Sequence, residues 1–432
     1  MAHSDSIRDT AFRRGGGAGV RSAARVAIAC MVALAVALGV GRFAFTPLLP
    51  VMLHAGALDL REGGLLASAN YAGYFVGALT CAFLPVEHAR MVRAGLLATV
   101  ALTLAMGLLT RFPVWVAVRF VAGVVSAWTF VFASQWGLAQ LARLGAPAWS
   151  GVIYTGPGIG IVVTGLLAGA VVRQGPAFGW LMFGALCAVC TAGVWRAFAP
   201  WAARAGGAVP RSSEASRAPS PAPPAGRGTS PKAPRAGGAS PMSAADRRYQ
   251  GIGLVVLYGM PGFGYIITAT FLPVIARHAL PGSNWPDLFW PMFGAALIPG
   301  SLLAARLPAQ WDNRLLLAGC YIVQAVGIAL GIVLPTAVGF ALGSVLIGLP
   351  FTAITLFAMR EARRLQGEHA AGLMGYATAA YGVGQIAGPL IAAPIAARVG
   401  SFAPALWLAA AVLLTGAVGL VWLAIRSRSD RD

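Results

Sequence analysis

The chain has 432 residues, of which 58% are hydrophobic and only 10% charged; its mean hydropathy is +0.74 and its formal net charge +19. Soluble domains carry roughly 25% charged residues, so this chain lacks the polar surface that water requires; cytosolic, secreted and fibrous classes are excluded, and a bilayer is the fitting solvent. The five cysteines (Cys30, Cys81, Cys187, Cys190, Cys320) lie in apolar runs with neither zinc-site spacing nor a disulfide framework, so no metal or cofactor is expected.

Residues 1–25 are polar and rich in Gly and Arg, and read as a disordered tail. Twelve runs then approach the ~20 apolar residues that a spanning helix needs. Six fall at 26–49, 63–84, 92–110, 113–137, 149–172 and 179–196, forming a first unit over 26–196. Six more fall at 250–272, 287–304, 314–334, 336–359, 370–397 and 402–425, forming a second unit over 249–425, followed by a short tail, 426–432. The expected class is an all-α membrane protein of twelve helices in two six-helix bundles. Between them, residues 197–248 hold a Pro/Ser/Ala/Gly/Arg stretch from Pro200 to Pro241 with too few apolar side chains to fold, expected to be a flexible linker.

Charge sets the expected orientation. If the chain alternates sides, 25 of its 32 Lys and Arg fall on the side of the N-terminus, 5 fall in loops on the other side, and Arg42 and Arg119 remain inside spans. Cytoplasmic loops hold the excess of positive charge, so both termini and the linker are expected in the cytoplasm and the net charge is a topology signal. The basic residues form no folded surface with interleaved aromatics, so nucleic acid is not an expected partner.

The two sets of six repeat. At an offset of 223, Gly39, Gly41, Leu49, Pro50 and Val51 meet Gly262, Gly264, Leu272, Pro273 and Val274. The same offset pairs Leu65, Gly77, Leu79, Leu84 and Pro85 with Leu288, Gly300, Leu302, Leu307 and Pro308. At 224, Gly151, Gly158 and Gly160 meet Gly375, Gly382 and Gly384. A repeat of six spans gives both halves one orientation, the parallel two-half arrangement.

Three segments carry a resemblance: GRFAFTPLLP at 41–50, LASANYAGYFVGAL at 66–79 and GYATAAYGVGQIAGPL at 375–390. They closely resemble an uncharacterised bacterial branch of the major facilitator superfamily, the YbfB/YjiJ type. Arg119 and Gly123 fit that superfamily's fourth-helix Arg-x-x-x-Gly pattern. Gly156-Pro157-Gly158-Ile159-Gly160 is similar to the fifth-helix motif of its proton-driven exporters, without the final double glycine. The loop signature begins at Gly77-Ala78-Leu79 but lacks the Asp-Arg that should follow. The resemblance implies a small-solute transporter of the bacterial inner membrane, with helices 1 and 4 lining a central cavity, and names no substrate.

The candidate chemistry is sparse. All 13 acids and all five histidines fall in tails, linker, loops or at span edges, leaving Arg42 and Arg119 as the charges well inside spans. A buried charge is costly and marks a functional site by default. Arg42, Arg119 and Asn70 are expected roughly 9–11 Å below one surface, at 1.5 Å per helical residue. Arg42 could equally bond carbonyls of an unwound segment near Pro47 and Pro50, and Arg119 its neighbours on the fifth helix. Asn70, Tyr74, Tyr265 (the repeat position of Arg42), Tyr154, Tyr381 and Gln385 complete the expected solute- or ion-binding set, each with helix-to-helix bonding as its alternative. Gly156, Pro157, Gly160, Gly384, Gly388 and Pro389 are read as helix-packing and conformational positions.

The expected function is alternating-access transport of a small anionic or amphipathic solute by a monomer, tipped towards efflux by the fifth-helix motif. A non-transporting sensor on a transporter scaffold and a facilitated uptake carrier are the alternatives. An enzyme is not expected, since no acid–base pair, nucleophile or metal set lies at depth. Proton coupling would have to use Asp59, Glu62 or Asp287, a tyrosine, or the solute itself.

Overall fold

The computed structural model describes residues 20–171, 174–199, 244–308, 310–367 and 370–429. The expected linker from Pro200 to Pro241 and the tail before Val20 lie outside them. The described chain is helical throughout. The first half comprises α1 (Val20–His54), α2 (Leu60–Thr80), α3 (His88–Leu108), α4 (Phe112–Arg143), α5 (Pro147–Gly169) and α6 (Pro176–Val194). The second comprises α7 (Ala244–Ala279), α8 (Pro286–Arg306), α9 (Asn313–Val333), α10 (Ala337–Gln366), α11 (Ala370–Val399) and α12 (Ala403–Ser429). Eleven are long and apolar enough to cross a membrane; the other, α2, has the length but carries Arg61, Glu62, Ser68, Asn70 and two tyrosines. The protein is a multi-pass membrane protein of twelve helices in two pseudo-symmetric bundles.

Local chemistry starts the helices where they start. Asp59 and Glu62 form a reciprocal capping box at the head of α2, satisfying two N-terminal amides. Asp312 caps α9 and Thr336 caps α10. Pro113, Pro176 and Pro286 stand in first turns, where no amide hydrogen is needed. Several helices outrun the apolar stretches expected of them: α7 begins at Ala244, α4 reaches Arg143 and α10 reaches Gln366. Charged residues end an apolar run without ending a helix.

The repeat read in the sequence reappears as equivalent crossings. A Cβ on Gly160 would lie 2.6 Å from Gly39 Cα, and one on its counterpart Gly384 would lie 2.5 Å from Gly259 O, so α5 lies directly on α1 and α11 on α7. Gly77 and its counterpart Gly300 leave no room for a Cβ against Val124 O (2.6 Å) and Leu349 O (1.9 Å), where α2 crosses α4 and α8 crosses α10. Small residues permit this backbone approach between spanning helices.

The halves meet along α2–α11, α5–α8 and α1–α7. Call the side bearing residues 20, 199 and 244 the N-terminal side, and the opposite one the far side. Among the described residues four hydrogen bonds join the halves: Arg42 to Gln385, Thr46 Oγ1 to Ala269 O (3.0 Å), Ser68 Oγ to Ile386 O (2.9 Å) and Tyr71 OH with Thr270 Oγ1 (3.0 Å). Gly64 against Ala393 and Gly169 against Asp287 continue the seal outward. Thr46 and Ala269 are themselves repeat partners, separated by 223 residues, so the pseudo-symmetry axis passes between α1 and α7. Towards the N-terminal side α2 and α11 part: a Cβ on Gly382 would still meet Phe75 at 2.8 Å, whereas nothing lies within 4 Å of one placed on Gly375. α5 and α8 stay together further, to Gly151, whose Cβ would lie 3.4 Å from Leu302. The hydrogen-bonded seal is on the far side, and the opening on the N-terminal side lies along α2–α11.

Candidate functional site

The site begins with a break in α1. Residues Ala35–Val40 are π-helical, residues 41–44 form a turn, and the α-helix resumes at Phe45–His54. Thr46 N–H, which a regular helix would aim at the Arg42 carbonyl, bonds Phe43 O instead (3.2 Å). Pro47 and Pro50 supply no amide hydrogens at all. The break leaves backbone carbonyls needing donors inside the membrane, where each unpaired one is costly.

Arg119 meets that need. From α4 its Nη1 donates to Gly41 O (3.2 Å) and its Nη2 to Arg42 O (3.1 Å). Its guanidinium lies over Phe45, 5.1 Å from the ring centre, and the residue is 2% exposed. Asn70 holds the same junction from α2, donating Nδ2 to Arg119 O (2.9 Å). The sequence offers carbonyls of an unwound segment as the alternative partner for Arg42 and the fifth helix as that for Arg119; the carbonyls are bonded instead by Arg119, whose partners lie on α1.

Arg42 faces the other way, to the junction of the halves. Its Nη2 donates to Gln385 Oε1 of α11 (2.8 Å), and its Nε, buried, meets no acceptor among the described residues. Tyr74 lies beneath the guanidinium at 4.1 Å from the ring centre, with Tyr71 and Phe43 each at 5.2 Å. Gln385 Nε2 in turn donates to Tyr265 OH. Tyr265 is the repeat counterpart of Arg42, so the two equivalent positions of the halves converge on one glutamine. Among the described residues neither arginine forms an ion pair.

Rings surround this centre in a continuous series. Phe43 meets Trp290 across the halves at 5.9 Å, Trp290 stacks on Phe293 at 5.0 Å, and Phe293 meets Phe351 at 5.8 Å. Phe351 stands edge-on to Tyr265 at 5.0 Å; Tyr381 stacks on both Tyr265 and Tyr258. Tyr258 OH donates to Thr355, an exposed residue of α10 on the open side. The result is a cation packed among mostly aromatic side chains, at the inner end of the hydrogen bonds that join the halves.

Not every expected residue joins it. Tyr154 packs against Phe130 within the first half, apart from Arg42. The glycines and prolines lie at crossings: Gly156 abuts Met31 O, Gly160 abuts Gly39, Gly384 abuts α7, Gly388 faces Ile266, and Pro389 O faces Gly64 across the halves. Pro157 is buried beside them in α5. Of the acids considered for proton coupling, Asp59 and Glu62 cap a helix in the exposed far-side loop, and Asp287 pairs with Arg277. An apolar crevice of about 400 Å³ opens on the far side near His278, Phe340 and Phe402 of the second bundle, with Leu53 and Leu60 of the first along it; Arg42 does not line it.

One expectation is corrected. The sequence reading left no acid buried, with Glu361 beyond the tenth span. Instead α10 continues to Gln366, and Glu361 is 1% exposed, paired with Arg364 (2.6 Å) and 3.7 Å from Arg314. Arg314, 3% exposed, also binds Asp312 (2.8 Å), Gln250 (3.3 Å) and Leu423 O (3.0 Å). This cluster ties α7, α9, α10 and α12 together on the N-terminal side. Its sequence signal was Arg360-Glu361-Ala362-Arg363-Arg364, whose charges lie on an amphipathic turn continuing the helix.

A family model described as the uncharacterised MFS-type transporter YbfB matches residues 34–223 and 228–421. No curated protein sequence matches the chain. Among solved structures, a point mutant of the nucleoside transporter NupG superposes with a TM-score of 0.65 at 12% identity, covering 94% of this chain and 99% of that one.

Proposed function

The chain belongs to the family of uncharacterised MFS-type transporters described by YbfB, and from that premise we propose that it carries a small organic anion with an apolar, preferably aromatic, body by alternating access. One observation carries this reading: Arg42 is a buried guanidinium without an acidic partner, set among aromatic rings where the sealed and open regions meet. An unpaired buried cation is costly, and an anionic group relieves that cost. The rings give the rest of the solute an apolar surface.

We assign solute contact to Arg42, Tyr74, Tyr381, Gln385 and Tyr265. Arg119 and Asn70 take a positioning role, holding the α1 break that presents Arg42. Tyr154 is left to helix packing. Gly156, Pro157, Gly160, Gly384, Gly388 and Pro389 serve the crossings along which the halves rock. The excess of Lys and Arg on the N-terminal side supports placing that side in the cytoplasm of a bacterial inner-membrane protein. The conformation is then open to the cytoplasm, poised to load solute for efflux by a monomer.

Thermal shift of the purified protein tests the reading, with benzoate, an aliphatic carboxylate of equal size, a nucleoside and an aromatic cation. Stabilisation by the carboxylates, strongest with benzoate and absent in Arg42→Ala, supports it; stabilisation by the cation or the nucleoside alone contradicts it.

A further inference from the structure

We infer that Gln385 is the latch of the far-side seal, and that the solute releases it by taking its place on Arg42. This rests on the reading that Arg42 receives the solute's anionic group.

Of the four hydrogen bonds joining the halves, three are between neutral groups. The fourth, Arg42 to Gln385, carries a charge. Counted from the far-side helix ends His54 and Val399, it is also the deepest of the four, closest to the opening. It is therefore the first tie that a molecule arriving from the open side meets.

The guanidinium is only half used along the edge in question. Its Nε–H and one Nη–H of Nη2 point in parallel along one edge, the fork that receives a carboxylate with two bonds. Gln385 Oε1 occupies Nη2 with a single neutral acceptor, and the adjacent Nε is buried and unpartnered. A carboxylate bonds both: one oxygen replaces Oε1 on Nη2 and the other takes Nε. Two charge-assisted bonds displace one charge–neutral bond, and an orphaned donor is satisfied.

The displaced amide has somewhere to go. Gln385 Nε2 is already held by Tyr265 OH on its own half. Once it leaves Arg42, Gln385 belongs wholly to the second bundle, and the far side is held by three neutral hydrogen bonds and the packing of Gly64 and Gly169 against the other half. Loading of the anion thus removes the one charged tie among them, which couples opening to occupancy.

The test uses the full-length protein in nanodiscs with Ser68→Cys as reporter, a near-isosteric change at a buried position of the α2–α11 seal. Maleimide labelling at position 68 is read by peptide mass spectrometry, and benzoate binding by calorimetry. With Gln385 intact, labelling is expected to be slow and to rise several-fold with benzoate. Gln385→Leu is expected to label fast without benzoate and to bind it roughly 10- to 150-fold more tightly, the equivalent of losing one competing bond from a charged donor of about 1.5–3 kcal/mol. Gln385→Glu places a carboxylate on the same edge; it should stay slow-labelling and lose benzoate binding. Gln385→Asn, one methylene shorter, should behave as Gln385→Leu and guards against misfolding of the latter.

If Gln385→Leu and Gln385→Asn keep the reference labelling and affinity while Arg42→Ala loses benzoate, the latch is wrong and the anion reading stands. If neither the reference protein nor Gln385→Leu binds benzoate or an aliphatic carboxylate, the anion reading fails and the latch falls with it.

Discussion

Arg119 donates to the backbone carbonyl of Arg42 at 3.1 Å, so one buried arginine holds the chain that carries the other. The second donation, to Gly41 O, fixes the same turn. The two cations therefore divide the work: both leave a buried Nε unpartnered among the described residues, but both terminal nitrogens of Arg119 are spent on main chain, whereas Arg42 bonds a single neutral side chain of the other half.

This division predicts different failures. Arg119→Ala leaves two carbonyls of α1 without donors inside the membrane. Losing hydrogen bonds from a charged donor costs about 1.5–3 kcal/mol each. The variant should lose thermal stability and yield, whereas Arg42→Ala, which frees one neutral amide, should unfold close to wild type. A thermal-shift comparison without solute settles the order; equal losses would remove the positioning role.

The crossings predict a contrast among glycines. A Cβ on Gly160 would stand 2.6 Å from Gly39 Cα, and one on Gly384 would stand 2.5 Å from Gly259 O. Overpacking of this kind costs about 1–3 kcal/mol. Gly160→Ala and Gly384→Ala should both lower stability and flux, while Gly372→Ala and Gly375→Ala, with open space around them, should be silent. Silence at Gly160 would show that the α1–α5 contact is loose.

The buried cluster of the second bundle predicts an acid-sensitive stability. Glu361→Ala strips Arg364 and Arg314 of a shared partner, and removing one member of a buried pair costs about 3–5 kcal/mol. Little folded protein should be recovered. Asp312, at the start of α9, is pushed up by its partial burial, but the hydrogen bonds and charge of Arg314 outweigh this and hold its carboxyl below the ordinary value of 3.8. A lowered folded-state pKa gives stability that is complete above that ordinary value and drains away as pH falls through the folded one. Asp312→Asn should be less stable than wild type at neutral pH, with the gap closing as the pH falls below about 4. A constant gap across that range would assign the loss to packing.

Much of the fold was legible because hydropathy, charge bias and an internal repeat are long-range signals that survive sequence drift. Twelve apolar runs and the 223-residue offset lead directly to two like-oriented bundles, and the Thr46–Ala269 bond lies on their axis. Arg42 and Arg119 stood out because charge inside an apolar run is rare. Their difference was not legible: whether a guanidinium meets main-chain carbonyls or a side chain of the other half depends on the π-helical break in α1, which composition does not announce. Tyr265 and Gln385 were separately visible, but their meeting with Arg42 joins three helices far apart in sequence. Glu361 was missed because the apolar run stops before the helix does.

Flux through Arg42 variants tests the central claim most directly. Proteoliposomes holding wild type, Arg42→Lys and Arg42→Ala at matched protein levels would be loaded with radiolabelled benzoate and counter-flow measured. Lysine keeps the charge and loses the planar fork. The account predicts saturable wild-type counter-flow, an affinity loss of roughly 10- to 150-fold in Arg42→Lys, corresponding to about 1.5–3 kcal/mol, and no saturable flux in Arg42→Ala. Saturable flux at the wild-type level in Arg42→Ala would contradict it, since the anion would then have found another partner.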